Sequence, residues 1–208
     1  LSIDTSTRYA SVGLSLGSEM LAEYSWLSRQ NHSIELLPAI EHLLKTTGST
    51  TKSLDCIFLA VGPGGFSALR VGMSTAKGLG VSLGIPLVAI NTLDIEAYPY
   101  RGLGLPVCSI LDVGRGEMAA AAFTGDKDSW IKTNEDRIVT SDDLCSSILE
   151  TTLFCGEGIS VYSAVLQGGL GDKAVIAEQS LPTRKPGALS QMGYLRFELG
   201  DVDDIYAL

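Results

Sequence analysis

The sequence predicts an α/β fold of two lobes, each with the element order strand–strand–strand–helix–strand–helix–strand–helix. Hydrophobic spacing gives this order in both halves of the 208-residue chain. An aspartate ends the first strand of each half, and the two positions, Asp4 and Asp112, lie 112 − 4 = 108 residues apart. With 45% hydrophobic residues, the chain can bury a sizeable core. We place the lobes at residues 1–101 and 102–208.

In the first half, alternating apolar residues predict three strands, and a 3.6-residue period predicts the helix that follows them. Ser33 is the expected cap of this helix, Pro38 shortens or kinks its first turn, and Thr92 caps a later, short helix. In chain order we predict strands 1–5, 10–16 and 20–27, a helix 33–47, a strand ending at Val61, a helix 66–83, a strand 87–90 and a helix 92–98.

The second half repeats the pattern. Ser141 is the expected cap of its first helix, with Asp142 and Asp143 in the first turn, where the helix dipole favours acidic side chains. In chain order we predict strands 107–112, 117–123 and 130–133, a helix 141–150, a strand 152–155, a helix 159–167, a strand 174–176 and a helix 187–199.

Composition argues against several classes of protein. The net charge of −9 and the pI near 4.6 repel phosphate backbones, so we do not expect the chain to hold nucleic acid by itself, and any role near RNA would need a basic partner. None of the four cysteines forms a C-x-x-C pair, which predicts buried, reduced thiols and a cytoplasmic protein. No apolar run approaches the roughly 18 residues of a membrane span, and we expect no secretory segment before Leu1. We therefore expect no membrane contact.

The glycine-rich stretch over residues 62–72, GPGGFSALRVG, follows an apolar run and opens a long helical pattern. A strand, a turn and a helix start of this kind suit either a backbone anion cradle or a close contact between chain segments. A P-loop would end in Lys followed by Ser or Thr, and a dinucleotide motif would have a third glycine where Ser67 stands. The stretch therefore lacks the side chains that usually hold phosphates.

Three segments carry a family resemblance: residues 3–7, which read IDTST, residues 32–38, which read HSIELLP, and the glycine-rich stretch. Together and in this order they resemble the bacterial TsaB (YeaZ) family, whose members carry a similar GPGSFTGLR sequence. Gly65, Ser67 and Ala68 replace three of its residues here. In the second half the resemblance rests on residues 111–112, 115–117 and 156–158. The duplicated order also resembles the actin-like ATPase superfamily (ASKHA, ribonuclease H-like).

The resemblance implies a non-catalytic subunit of the machinery that makes threonylcarbamoyladenosine next to the tRNA anticodon. In that family a TsaD-type paralogue carries the metal and the transfer chemistry, a TsaE-type ATPase completes the assembly, and a TsaC-type enzyme supplies the adenylate. The chain would then activate TsaD without an activity of its own and would form a homodimer when alone.

The helix over residues 66–83 carries three glycines, Gly72, Gly78 and Gly80, each of which costs about 1 kcal/mol relative to Ala. Close approach of another backbone would offset that cost. The approaching segment is either the chain's own sheet or first helix, or a partner, because family members pair through two helices of the first lobe. The residues predicted for a partner or dimer interface are His32, Leu36, Phe66, Leu69, Arg70, Gly72, Met73, Ala76 and Gly80.

Catalytic groups are scarce. His32 and His42 are ten residues apart and cannot share a helix face as a metal pair, so we expect no metal and no cofactor. Ser67 lies in a suggestive turn without a G-x-S-x-G elbow, which makes a peptidase the least favoured function.

An ATPase or small-molecule kinase of the same superfold is the main alternative. In that superfamily nucleotide lies between the lobes, and an aspartate-bearing hairpin of each half faces its phosphates. Asp4 lacks the following glycine that would let a phosphate approach, so we favour turn-stabilising roles for both aspartates. ATP or ADP would then bind weakly or only at a joint interface. The residues of this vestigial nucleotide cleft would be Asp4, Ser6, Asp112, Gly114, Gly156 and Gly158.

Overall fold

The computed structural model describes residues 1–29, 31–177 and 186–208. The described chain divides into two compact units. One contains residues 1–95 together with 186–208, and the other contains residues 96–177. Each unit is built around its own sheet.

The described strands follow the predicted order closely. In chain order they are β1 (Ser2–Asp4), β2 (Tyr9–Leu16), β3 (Glu19–Leu27), β4 (Ile57–Ala60), β5 (Leu87–Ile90), β6 (Val107–Gly114), β7 (Glu117–Thr124), β8 (Ile131–Lys132), β9 (Arg137–Thr140), β10 (Thr152–Cys155) and β11 (Ala174–Ile176). β9 was not predicted. It supplements the very short β8, and both pair with β7.

The described α-helices are α1 (His32–Thr46), α2 (Phe66–Leu83), α3 (Thr92–Ala97), α4 (Ser141–Ser147), α5 (Ile159–Leu170) and α6 (Pro186–Glu198). Short 3-10 helices cover Thr51–Ser53, Tyr98–Tyr100 and Gly171–Lys173. Within these residues no helix is both long enough and apolar enough to span a membrane.

The first unit has a five-stranded sheet with the order β3-β2-β1-β4-β5. Its first three strands are antiparallel, and β1, β4 and β5 run parallel. Ile3, Val12 and Leu59 point from one face into a core that α1 and α2 cover. The turn after β1 and the loop after β4 lie at the same end of the sheet, because neighbouring parallel strands have their carboxyl ends on the same side.

The C-terminal helix differs from the prediction that residues 102–208 form the second lobe. α6 packs on the other face of the first sheet. The Ser190 hydroxyl donates to the Ser2 hydroxyl at 3.1 Å. A Cβ at Gly193 would lie 2.3 Å from the Phe58 ring, so only glycine permits this approach. Phe58 lies on this face of the sheet, and α6 covers it.

The second unit has a sheet with the order β11-β10-β6-β7-β8, and β9 also pairs with β7. Parallel pairing joins β6, β10 and β11, and antiparallel pairing joins β6, β7 and the strands beyond it. One core cluster lies under α4 and α5. Its fully buried members include Ile110, Met118, Leu144, Phe154 and Leu166. The duplicated element order is thus present, except that the last helix lies in the first unit.

The predicted helix caps lie one or two residues too late. Ser33 and Thr92 are already inside α1 and α3, and the Asn91 carboxamide oxygen accepts from the Leu93 amide at 2.8 Å. Thr140, not Ser141, caps α4, because its hydroxyl accepts from the Asp143 amide. A capping side chain needs extended backbone just before the first helical residue.

Candidate functional site

The turn after β1 is held by the aspartate that ends the strand. Asp4 is 2% exposed, and its Oδ1 accepts from the Ser6 amide at 2.8 Å and from the Ser6 hydroxyl at 2.6 Å. A carboxylate that bonds the backbone two residues on is a common turn stabiliser. Asp4 and Ser6, both predicted for a nucleotide cleft, are therefore engaged in shaping their own turn.

The glycine-rich loop lies directly against this turn. The Gly65 amide donates to the Ser6 carbonyl at 2.7 Å. A Cβ at Gly64 would lie 2.2 Å from that carbonyl oxygen, a separation that no side chain tolerates. Of the two explanations that the sequence left open, close contact between chain segments accounts for this glycine and for the orientation of the Gly65 amide.

The loop is also fixed to the start of α3. The Gly62 amide donates to the Thr92 hydroxyl at 3.1 Å, and the Thr92 amide donates to the Gly62 carbonyl at 2.7 Å. Gly62 has φ +111°, which glycine adopts without strain. Thr92 was predicted as a cap and instead clamps the loop.

The small-residue stripe of α2 faces the chain's own interior, which corrects the predicted interface. The Thr5 hydroxyl donates to the Ala68 carbonyl at 2.7 Å, and a Cβ at Gly72 would lie 2.4 Å from that hydroxyl oxygen. Ala76 is fully buried, and a Cβ at Gly80 would lie 2.8 Å from Ile205. Gly72, Ala76 and Gly80 therefore cannot contact a partner in this conformation.

His32 and Leu36 are also buried, so they too leave the predicted interface. His32 Nε2 lies 3.0 Å from the Thr7 carbonyl oxygen, which ties the start of α1 to the first turn. The helical spacing predicts an apolar face of Ile34, Leu37, Ile40 and Leu44 on α1, but only Ile40 and Leu44 of these are buried. Ile34 is 71% exposed and Leu37 is 55% exposed. Spacing alone could not reveal this, because positions 36, 40, 43 and 44 give an equally regular stripe.

Four of the residues predicted for an interface are not fully buried, and all four lie on α2. Phe66 is 70% exposed, and the Arg70 guanidinium lies 3.8 Å from its ring centroid. Leu69 and Met73 are half-buried. We define these four residues, with the exposed Leu37 of α1, as the helical surface. It presents apolar side chains and one cation to solvent.

The second predicted hairpin is stabilised in the same way as the first. Asp112 Oδ1 accepts from the Gly114 amide at 3.1 Å and from the Tyr162 hydroxyl at 2.9 Å. The Tyr162 hydroxyl also lies 3.0 Å from the Glu117 carbonyl oxygen. Burial, followed by the hydrogen bond to Asp112, raises the pKa of Tyr162. Asp112 and Gly114 thus serve the hairpin.

Gly156 and Gly158 are explained by contact with a neighbouring strand. The Gly158 amide donates to the Ile110 carbonyl at 3.0 Å. A Cβ at either glycine would lie within 3.0 Å of that carbonyl oxygen, at 2.4 Å for Gly156 and 2.9 Å for Gly158. Their role in the described structure is close packing of the segment after β10 against β6.

A family model described as TsaD, tRNA N6-adenosine threonylcarbamoyltransferase, matches residues 26–179, which is more than half of the chain. The chain belongs to this family. It is 28% identical over 196 residues to the tRNA threonylcarbamoyladenosine biosynthesis protein TsaB of Bacillus subtilis (strain 168), covering 93% of this chain and 86% of that protein. The identity to TsaB of Escherichia coli (strain K12) is 26% over 163 residues, covering 77% of this chain and 69% of that protein.

Two solved structures from Pseudomonas aeruginosa share the fold. YeaZ superposes with a TM-score of 0.80 at 22% identity, covering 99% of this chain and 94% of YeaZ. A protein with similarity to the peptidase YEAZ superposes with a TM-score of 0.82 at 21% identity, covering 100% of this chain and 95% of that protein. The TsaB (YeaZ) resemblance and the two-unit, actin-like α/β fold are confirmed.

A transferase family model raises the question of whether this chain has a nucleophilic cysteine or a metal-binding group. Burial raises the pKa of the Cys108 thiol to about 12 and that of Cys56 to about 11. Burial also raises the pKa of Cys145 and Cys155. Nucleophilic cysteines need lowered pKa values, so none of these thiols is activated, and the three buried ones, Cys56, Cys108 and Cys155, pack as apolar groups. Among the described residues, no group of three or more His, Cys, Asp or Glu side chains is arranged to hold a metal ion.

Proposed function

We propose that this chain is the non-catalytic partner and activator of a TsaD-type enzyme in the threonylcarbamoylation of tRNA. Its family and its TsaB relatives support a role in this pathway. The chain would work in the cytoplasm, contact tRNA only through its partners and join an assembly completed by a TsaE-type ATPase. Alone, it would form a homodimer through the surface that TsaD otherwise covers.

One observation carries the assignment of a non-catalytic role. The glycine-rich loop is the segment best suited to cradle an anion, but the backbone groups of Gly62 and Gly65 hydrogen-bond to other parts of the chain. Gly65 donates to Ser6, and Gly62 exchanges two hydrogen bonds with Thr92. The loop therefore braces the start of α2 and holds the helical surface in place. We propose that this surface is where the TsaD-type partner binds.

The apolar side chain best placed to contact a partner is Phe66, because its ring is exposed and Arg70 stacks on it. Exposed aromatic and arginine side chains are the commonest energetic centres of protein interfaces. An exposed ring contributes little to folding, so its removal tests binding without unfolding the chain.

The test is capture of a TsaD-type paralogue from the same organism by the purified chain. We expect Phe66→Ala to weaken the complex about tenfold or more while leaving the thermal unfolding midpoint unchanged. Leu149→Ala is the matched control, since Leu149 is 84% exposed in the other unit and should bind normally. Depletion of the chain in cells should lower the modified adenosine in tRNA.

Three outcomes would contradict the proposal. Steady ATP turnover by the isolated chain would support an ATPase or kinase instead. Cleavage of a protein substrate, abolished by Ser67→Ala, would support a peptidase. Failure of the TsaD-type paralogue to associate at micromolar concentrations would remove the partner role.

A further inference from the structure

The two edges of the first sheet differ in how their backbone groups are satisfied. At the β5 edge, Asp203 and Arg196 take the place of a neighbouring strand. The Ala89 amide donates to the Asp203 carboxylate at 2.7 Å, the Asp203 amide donates to the Leu87 carbonyl at 2.9 Å, and Arg196 donates to the Ala89 carbonyl at 2.7 Å. This edge is closed by the chain itself.

The β3 edge is open along its length within the described residues. β3 has nine residues and pairs there only with β2. The Ser28 amide donates to the Arg8 carbonyl, so these two facing residues form a hydrogen-bonded pair that continues the β2–β3 register. Hydrogen-bonded and non-hydrogen-bonded pairs alternate along an antiparallel ladder, so every second residue of β3 from Leu27 backwards is not hydrogen-bonded to β2. The backbone N–H and C=O groups of Glu23, Ser25 and Leu27 consequently point away from β2, in the position where a further strand would pair.

An aromatic groove runs beside this open edge, between β3 and α1. We call it the β3–α1 groove and define it by Tyr24, Trp26, Glu35, Pro38 and His42. The rings of Tyr24 and Trp26 stack with centroids 5.3 Å apart, and His42 meets Tyr24 edge-on at 5.9 Å. Tyr24 is 44% exposed, so part of this residue is accessible next to the strand edge.

A fixed carboxylate completes the groove. The Trp26 indole Nε1 donates to Glu35 Oε2 at 2.9 Å. Hydrogen bonds from Ser28 and then from Trp26 lower the pKa of Glu35. The carboxylate is therefore charged at neutral pH and is held in one orientation beside the aromatic stack.

We propose that the β3 edge and the β3–α1 groove bind an extended, arginine-bearing segment of a partner protein as an added strand. Main-chain hydrogen bonds to Glu23, Ser25 and Leu27 would align the segment, as in β-strand addition. Its arginine side chain would lie over the ring of Tyr24 and next to Glu35. A planar guanidinium suits both contacts, because it stacks on aromatic rings and pairs with carboxylates.

Charge complementarity favours this occupant. β3 carries Glu19 and Glu23 and no basic residue, and the whole chain has a net charge of −9. A second copy of the chain would place two acidic strands side by side, which repels. The inference does not depend on the TsaD-type partner, since the helical surface and the groove use different side chains.

The test is a fluorescence titration of the full chain in a Trp130→Phe background, so that Trp26 is the reporter. The probe is an acetylated and amidated peptide of sequence Thr-Arg-Val-Arg-Val-Thr, whose two arginines lie on one face of a strand. We expect saturable binding that changes the Trp26 emission. A peptide with both arginines replaced by Gln should bind several-fold more weakly.

Two variants of the protein examine the two arginine contacts. We expect Glu35→Gln to weaken binding of the arginine peptide about threefold to fivefold, the effect of one partly exposed ion pair. Glu150→Gln, which removes the same charge from the other unit, should leave binding unchanged. Tyr24→Leu keeps apolar bulk but removes the π-face, and we expect it to weaken binding to a similar degree.

A further peptide examines strand pairing. Successive amides of a strand point to opposite sides, so one of any two adjacent amides of the bound peptide faces β3. N-methylation of two adjacent central residues therefore removes one hydrogen bond to β3 whichever way the peptide is aligned, and it should abolish binding. Equal binding of the methylated peptide would overturn strand addition, and equal binding of the Gln peptide would overturn the arginine assignment. Free arginine methyl ester binding as tightly as the peptide would reduce the groove to a small-cation pocket. Absence of binding at millimolar peptide, or a dimer that the peptide dissociates, would also overturn the proposal.

Discussion

Replacing a glycine by alanine in a helix can raise or lower the free energy of unfolding, and α2 contains one glycine of each kind. At Gly72 a Cβ would meet the Thr5 hydroxyl oxygen at 2.4 Å, whereas Gly78 is exposed with nothing within 4 Å of a Cβ. We expect Gly78→Ala to raise the free energy of unfolding by about 1 kcal/mol through helix propensity. Gly72→Ala should lower it by about 1–3 kcal/mol, because Thr5 must move and lose its bond to Ala68.

Urea unfolding of both variants checks this pair, each serving as the other's control. Stabilisation by both would mean that Thr5 moves without cost. A bulky substitution at Gly72 would therefore report folding, and a loss of partner binding in such a variant would not identify an interface.

A buried thiol makes stability depend on alkaline pH. Burial raises the pKa of Cys108 from 9.0 to about 12. Below about pH 9 the thiol is protonated in both states, so its contribution is fully present. Between about pH 9 and 12 the unfolded chain ionises and the folded chain does not, so the free energy of unfolding falls as pH rises.

We expect Cys108→Ala to make that fall shallower by about 1.4 kcal/mol per pH unit, the value of one proton. Denaturant unfolding at several alkaline pH values measures the slope. Ser109→Ala is the control on the same strand, and its slope should equal that of the unchanged chain. Its buried hydroxyl has no hydrogen-bond partner in the described structure, so this substitution should cost little. An unchanged slope in Cys108→Ala would contradict the raised pKa.

At the scale of elements, Asn91 and Ser33 both lie at the start of a helix, but only Asn91 caps one. Asn91 Oδ1 accepts from the Leu93 amide at 2.8 Å and from the Asp94 amide at 3.4 Å, whereas Ser33 lies within the first turn of α1. We expect Asn91→Ala to destabilise the chain by about 1 kcal/mol. Ser33→Ala should be neutral or slightly stabilising, because Ala is the better helix former. Thermal unfolding distinguishes them, and equal losses would restore Ser33 as a cap.

Most elements could be predicted because their signals are local. α2 occupies the predicted residues 66–83, where its apolar period ends at Gly84 in a left-handed C-cap. β9 was missed because its four residues follow a polar stretch and gain their place by pairing with β7. The direction of the α2 stripe was also undecided, because it depends on Thr5, 63 residues away from Ala68. Contacts of that range leave no trace in helical spacing.

At the scale of the whole molecule, the first unit is discontinuous in sequence. α6 covers the face of Phe58, and Arg196 and Asp203 close the β5 edge. We expect a fragment of residues 1–95 to unfold without a cooperative transition. Addition of a synthetic peptide of residues 186–208 should restore cooperative thermal unfolding and native-like circular dichroism.

A peptide with Gly193→Leu is the control, since its side chain would collide with Phe58 and should fail to restore the transition. Cooperative unfolding of residues 1–95 alone would show that the first sheet does not need its C-terminal cover. The sequence could not supply this point, because helical spacing over residues 187–199 says nothing about which sheet receives the helix.

The late return of α6 also bears on synthesis of the chain. The ribosome releases residues 96–177 before residues 186–208, so the inserted unit holds every strand described in it while the first sheet is still bare on one side. A nascent chain at that stage exposes the surface around Phe58, which is the kind of surface that chaperones bind. Completion of the first-made half therefore waits for residues 186–208 to leave the exit tunnel.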